Sequence, residues 1–180
     1  MLRRADDRIL IGLVRRGSAA AYERLFRKYW PVAWAAAHAV TFDRALADDV
    51  AQEAMERVLA RLDRFDDARP LGPWVKQIAV NRAIDELRRD RRLVRVEEPR
   101  EEGPLWQEDA PDLALAQAVA ALEPEKRLVV VLHYWLDYAV REIADMLDLP
   151  IGTVTSRLTR ARNELRSGLE EREEDEEDAA

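Results

Sequence analysis

Apolar residues recur at spacings of three and four along most of this chain. No stretch alternates apolar and polar residues for long enough to make a strand, so the pattern predicts an all-α protein. Asp6 or Asp7 is placed to cap a short first helix through Val14, which Gly17 ends, and Ser18 to cap a second. The second helix carries Tyr22, Leu25, Phe26, Tyr29 and Ala33 on one stripe, and Pro31 inside it is expected to kink or split it. A third helix over about 45–62 has Leu46, Val50, Ala54, Val58 and Leu62 on one face and Asp49, Gln52, Glu53 and Glu56 on the other. After a turn-like stretch at 63–73 with two prolines and a glycine, a fourth helix over about 73–92 opens on Pro73. It begins apolar, with Trp74, Val75, Ile78 and Ala79, and ends on the basic string ELRRDRR, which suits the negative end of a helix dipole.

A second block of helices begins near 113. One runs over 113–122, the next from Pro124 to about Leu136, and two more follow. The first of that last pair turns Val140, Ile143, Ala144 and Leu147 inward, with Asp137 as its expected N-cap. Ala144 supplies the small residue that steeply crossing helices need at their contact. Pro150 stops this helix, Leu149 and Ile151 fill the corner, and Thr153 is placed to cap the second helix. That helix buries Val154, Leu158, Ala161 and Leu165 and exposes Thr155, Ser156, Thr159, Arg160 and Asn163, flanked by Arg157, Arg162 and Arg166. A solvated charged face alone would be unremarkable. Small crossing residue, proline turn, capped second helix and basic outer face together describe a helix-turn-helix that lays a basic helix in the DNA major groove, where arginine reads guanine edges.

Charge at first argues against nucleic acid, since the net charge is −7. Its distribution reverses the argument. Residues 170–180 carry net −7 and residues 97–112 carry net −6, so setting both aside leaves +6 on the remainder. The segment 97–112, with three prolines and no helical periodicity, reads as a flexible acidic linker around Trp106, and 170–180 as a disordered acidic tail. The expected domains are therefore 1–96 and 113–169, both small and helical. A chain with no cysteine has no disulfide and no thiol chemistry. His38 and His133 lie in apolar stretches and are expected to be packed, so neither a metal nor any cofactor is expected. No phosphate-cradling glycine loop or catalytic constellation appears, and the chain reads as a non-enzyme. Without an apolar span of membrane length or a leader-like segment, a cytoplasmic protein is expected, with no membrane insertion.

The strings AYERLFRKYWP, DDVAQEAMERV and PWVKQIAVNRAIDELRR, followed by ALEPEKRLVVVLHYW and REIADMLDLPIGTVTSRLTRARNEL, resemble the extracytoplasmic-function (ECF) sigma factors of the sigma-70 family. The resemblance implies a first domain like sigma region 2, binding the −10 element and core RNA polymerase, and a second like sigma region 4, binding the −35 element. It implies a factor that directs promoter-specific initiation and assists DNA melting. Its partners would be core polymerase, through the β′ clamp and β flap, promoter DNA and an anti-sigma factor. Asp48, Asp49, Gln52 and Glu53 match the polymerase-docking face, where carboxylates at helical spacing meet a row of arginines. Trp74 and Asn81 match positions that hold a flipped −10 base, with 63–73 as a pocket, and Arg82, Arg88, Arg89 and Arg92 would touch phosphates. Thr155, Ser156 and Arg160 match the main −35 contacts, with Arg141 and Arg157 as lesser ones. Three positions depart from the family pattern. Thr155 replaces a basic residue, Ala139 a serine, and Asp148 the turn glycine, which implies weakened or shifted −35 binding. The competing function is a stand-alone helix-turn-helix regulator, which would have no use for a polymerase-docking face in the first block.

Overall fold

The computed structural model describes the backbone of residues 2–93 and 113–178, and side chains over 6–89 and 114–170. The expected linker at 97–112 with Trp106, and the side chain of Arg92, lie outside the described residues. The chain divides into two units, Met1–Pro99 and Arg100–Ala180, and the described elements are helical in both.

The first unit contains α1 (Leu2–Arg15), α2 (Ala19–Thr41), α3 (Arg44–Arg61), a 3-10 turn (Leu62–Arg64) and α4 (Leu71–Leu93). Its core forms where α2, α3 and α4 pack on one another, around Leu25, Val50, Met55, Val58, Val75 and Val80, all fully buried. Ala33, Ala37, Ala47, Ala51, Ala54, Ala79 and Ala83 are buried with them and let the helix backbones approach closely. Two helices start on side-chain caps: Ser18 Oγ accepts from the Ala21 amide at 3.3 Å, and Asp43 Oδ1 from the Leu46 amide at 3.0 Å. Pro31 does not split α2. The helix runs on because Leu25 and Tyr29 before the proline, and Ala33, Ala36 and Ala37 after it, are all buried, so packing outweighs the one backbone bond a proline forfeits.

The second unit contains α5 (Leu113–Ala121), α6 (Pro124–Val130) continued by a π turn (Val131–Trp135), α7 (Val140–Leu147) and α8 (Ile151–Asp178). Val119, Val129, Val131, Leu132, Ile143, Val154 and Ala161 fill its core. Three expectations are corrected here. Asp137 does not cap α7; it sits in the left-handed region at φ 61°, and Glu142 instead reaches back to accept the Ala139 amide at 2.8 Å. Thr153 does not cap α8, because the helix starts at Ile151 and the Pro150 carbonyl already accepts the Thr153 and Val154 amides. The backbone of α8 also continues to Asp178, through the segment expected to be disordered, since no proline interrupts its run of helix-forming residues after Gly168. Asp148 adopts φ 54° and ψ 49°, the left-handed turn for which glycine is the low-cost residue. Among the described residues no helix is long and apolar enough to cross a membrane.

Candidate nucleic-acid interface

In the first unit the segment between α3 and α4 folds over the start of α4 and leaves a cavity of about 580 Å³. Phe65 and Trp74 pack together at 4.7 Å between ring centroids, tilted by 34°, and line it. Arg61, Arg64 and Arg69 stand around it, with Gln77 one turn along α4 from Trp74. The combination of aromatic ring, amide and cations suits an unstacked base and its phosphate. Pro70 and Pro73 fix φ on the cavity's far side, and Asp66 shapes the loop by accepting from the Ala68 amide at 3.0 Å. Trp74 therefore both packs and faces the cavity. Asn81 is exposed two turns along α4, about 10 Å on by helical rise, outside the cavity but on nearly the same face.

Arg82 overturns an expectation. Read as a phosphate contact, it is 3% exposed and belongs to the interior. Its Nε donates to Glu53 at 2.5 Å and its Nη2 to Glu53 at 3.0 Å, while Nη2 also pairs with Glu86 at 2.5 Å. A buried guanidinium needs such partners, because an unpaired one would bear the full cost of desolvation. The pairing holds the Glu53 carboxyl below its ordinary value, chiefly through Arg82's hydrogen bond, and raises the Arg82 pKa further. Arg89 remains at the surface, 3.0 Å from Glu86, and Arg88 is half-buried.

The acidic face of α3 is only partly free. Asp48 and Asp49 are exposed, with Asp48 accepting from the Trp34 indole at 2.6 Å, and Gln52 donates to Glu56 at 3.3 Å. Glu53 keeps 46% of its side chain exposed while tied to Arg82. These four expected docking residues thus lie along one helix, three of them oriented by neighbours. His38 is buried and stacked on Trp34 at 4.9 Å, whereas His133 is half-buried and its Nδ1 meets the Tyr138 carbonyl at 2.9 Å. Among the described residues no group of metal-ligating side chains gathers.

In the second unit α8 presents Thr155, Ser156, Thr159 and Arg160 to solvent over the buried Val154, Leu158 and Ala161. The Thr155 and Ser156 hydroxyls donate back to the carbonyls of Ile151 and Thr153, at 3.0 and 2.9 Å. In that rotamer each offers lone pairs outward, which complement the exocyclic amino groups of adenine or cytosine. Arg160 and Arg141 are exposed, whereas Arg157 is bound to Glu125 of α6 and braces α8 against it. Lys126 does the same at 2.5 Å from Glu164, and its pKa is raised by that bond and by Glu123.

Sequence reasoning missed the partners of the cavity segment on α1. Arg8 and Arg15 reach it across gaps of 59, 47 and 50 residues, separations that no local spacing signals.

Residues 25–93 match the family Sigma-70 region 2, and residues 112–165 match the family Sigma-70, region 4. The ECF RNA polymerase sigma factor SigL of Mycobacterium tuberculosis is 33% identical over 162 residues, covering 85% of this chain and 91% of its own. SigW of Bacillus subtilis is 31% identical over 140 residues, 68% of this chain and 75% of its own. Among solved structures, the sigma factor RpoE bound to the anti-sigma factor NepR from Bartonella quintana has a TM-score of 0.53 at 24% identity, covering 83% of this chain and 96% of that one. CnrH in complex with the cytosolic domain of CnrY has a TM-score of 0.51 at 24% identity, covering 92% and 97%, and with RpoE it supports the fold. The region 2 match leaves the stand-alone regulator unfavoured, since such a protein would need region 4 alone. Two matched regions in this order, and relatives similar over most of their length, make the chain an extracytoplasmic-function sigma factor of the sigma-70 family, a protein that directs transcription initiation by RNA polymerase.

Proposed function

We propose that this sigma factor grips its promoters at two points by two different physical means. The first unit takes one unstacked base of the −10 element into the cavity beside Trp74, with Asn81 further along α4 contacting the same strand and Arg88 and Arg89 on phosphates. The second unit reads the −35 duplex with Thr155, Ser156 and Arg160, helped on the backbone by Arg141. Arg157 acts there by bracing the helix rather than by touching DNA. Asp48, Asp49, Gln52 and Glu53 dock core polymerase at its β′ clamp, and the second unit meets the β flap. The solved sigma factor RpoE, which shares this fold, is bound to the anti-sigma factor NepR, and an anti-sigma factor is the expected regulator here too.

The observation that carries the reading is the cavity: an aromatic wall with a cationic rim fits a base and its phosphate better than an apolar ligand. The test is run-off transcription by purified core polymerase on a promoter library, with and without the protein. Enrichment of templates sharing one −10 and one −35 sequence supports the reading. A protein that fails to bind core polymerase, or adds no promoter preference, contradicts it.

A further inference from the structure

The cavity's walls are held in part from outside the cavity. Arg15, at the end of α1, donates from Nη2 to the Leu62 carbonyl at 2.9 Å and to the Phe65 carbonyl at 2.6 Å, with Nε on Leu62 at 3.3 Å. Its Nη1 stands 3.8 Å from the Asp67 carboxylate. Seven residues earlier on the same helix, Arg8 Nε donates to the Asp67 carbonyl at 2.9 Å. The segment from the 3-10 turn to Asp67 is thus fastened to α1 at three carbonyls, those of Leu62, Phe65 and Asp67. One of these belongs to Phe65, whose ring packs on Trp74.

Alpha-1 is itself anchored. Asp7 accepts from the Tyr29 hydroxyl at 2.6 Å and pairs with Lys28 at 2.7 Å, and Leu10 and Ile11 are buried. Burial and the Asp7 bond raise the Tyr29 pKa, so its phenol stays a donor at any physiological pH. A chain of contacts therefore runs from Lys28 and Tyr29 of α2 through α1 and the Arg15 fork to the Phe65–Trp74 pair.

We infer that Arg15, seconded by Arg8, is a positioning residue that sets the width of the base pocket and hence the choice of base at the −10 element. The inference rests on the −10 reading of the cavity. Arg15 touches no base. Its planar fork sets Nε and Nη2 on the Leu62 carbonyl, Nη2 also on Phe65 and Nη1 beside Asp67 at once. A lysine has three donors but on a single nitrogen, so it cannot hold that spread of acceptors, and the geometry depends on arginine and not on positive charge alone. A segment carrying exposed Asp66, Asp67, Ala68, Arg69 and Pro70 has few apolar contacts of its own and needs such fastening to present one shape.

The test uses holoenzymes assembled with wild type, Arg15→Lys, Arg15→Ala, Arg8→Ala and Trp74→Ala. Each is scored for core polymerase affinity, thermal unfolding and open-complex yield on templates carrying each of the four bases at every −10 position. Arg15→Lys is expected to keep core affinity and the −35 preference while its discrimination at one −10 position drops about tenfold, within the range usual for one mismatched base. Arg15→Ala repeats the loss, and Arg8→Ala shows a smaller one. A uniform fall on all templates, tracking a lowered melting temperature, would show Arg15 to be a stability residue only and overturn the inference. Discrimination unchanged in Arg15→Lys while Trp74→Ala loses it would also overturn it, leaving the pocket reading intact. If Trp74→Ala keeps full discrimination at every position, the pocket reading itself fails.

Discussion

The two units bring opposite kinds of surface to DNA. The first is concave, and its polar groups are already engaged: Arg82 with Glu53 and Glu86, Arg15 with the carbonyls of the cavity wall, Asp48 with Trp34. The second is convex, and its Thr155, Ser156 and Arg160 are exposed on one helix face, tied at most to the helix's own carbonyls. On the proposed reading the difference follows from the two targets. A duplex presents an ordered groove, so a rigid helix with the right side chains can read it. A melted strand has no shape of its own, so the protein must supply the shape, and that requires walls fixed by charge-assisted hydrogen bonds.

The largest effect should come from emptying the pocket. Trp74→Ala removes a stacking surface worth about 1–3 kcal/mol per base, so open-complex formation should fall by roughly 5- to 150-fold while core binding persists. Filter-bound open complexes measured against promoter concentration would show it. On the convex side Arg160→Ala should cost about 1–3 kcal/mol in −35 binding and relax preference at one base pair. Arg89→Ala, removing a proposed phosphate contact, should instead weaken all sequences alike and lower the salt slope by about one. Competition binding over a salt series separates the two.

Smaller effects test the local geometry of the convex unit. Ala139→Ser supplies the missing cap on α7 and should add about 1 kcal/mol to its stability, and Asp148→Gly should add a similar amount by relieving the left-handed backbone. Urea unfolding followed by circular dichroism would register both. The smallest effect is in acid. Glu53 is held below its ordinary value of 4.5, so its contribution to stability is complete above that value and disappears as pH falls through the lower folded value. Glu53→Gln should flatten the pH dependence of unfolding in that range. An unchanged slope would place the acid sensitivity elsewhere.

The same comparison explains what the sequence revealed. The convex unit was largely legible, because a helix face is a local object: Val154, Leu158 and Ala161 inward fix Thr155, Ser156 and Arg160 outward. It misled at two helix starts and at the end of α8, which runs on to Asp178. Asp137 and Thr153 have the chemistry of caps, but the Glu142 return bond and the Pro150 carbonyl had already met those amides. The concave unit was legible in its helices and in the turn before α4, although α4 starts at Leu71 rather than at Pro73, but not in its charges. Arg82 lies among arginines that look like a surface run, yet it falls on the stripe of Val75, Ala79 and Ala83 at helical spacing, four residues before Glu86. That spacing was the available signal. The Arg15 contacts offered none, since the fold alone brings α1 to the cavity wall.

The division of labour itself is most directly tested by permanganate reactivity of unpaired thymines in promoter complexes formed at saturating holoenzyme. With Arg160→Ala, thymines of the −10 element should react as in wild type once the promoter is occupied. With Trp74→Ala, the promoter should be occupied and its thymines protected. Equal reactivity in Trp74→Ala and wild type, or loss of melting in occupied Arg160→Ala complexes, would contradict the assignment of melted strand to the first unit and duplex to the second.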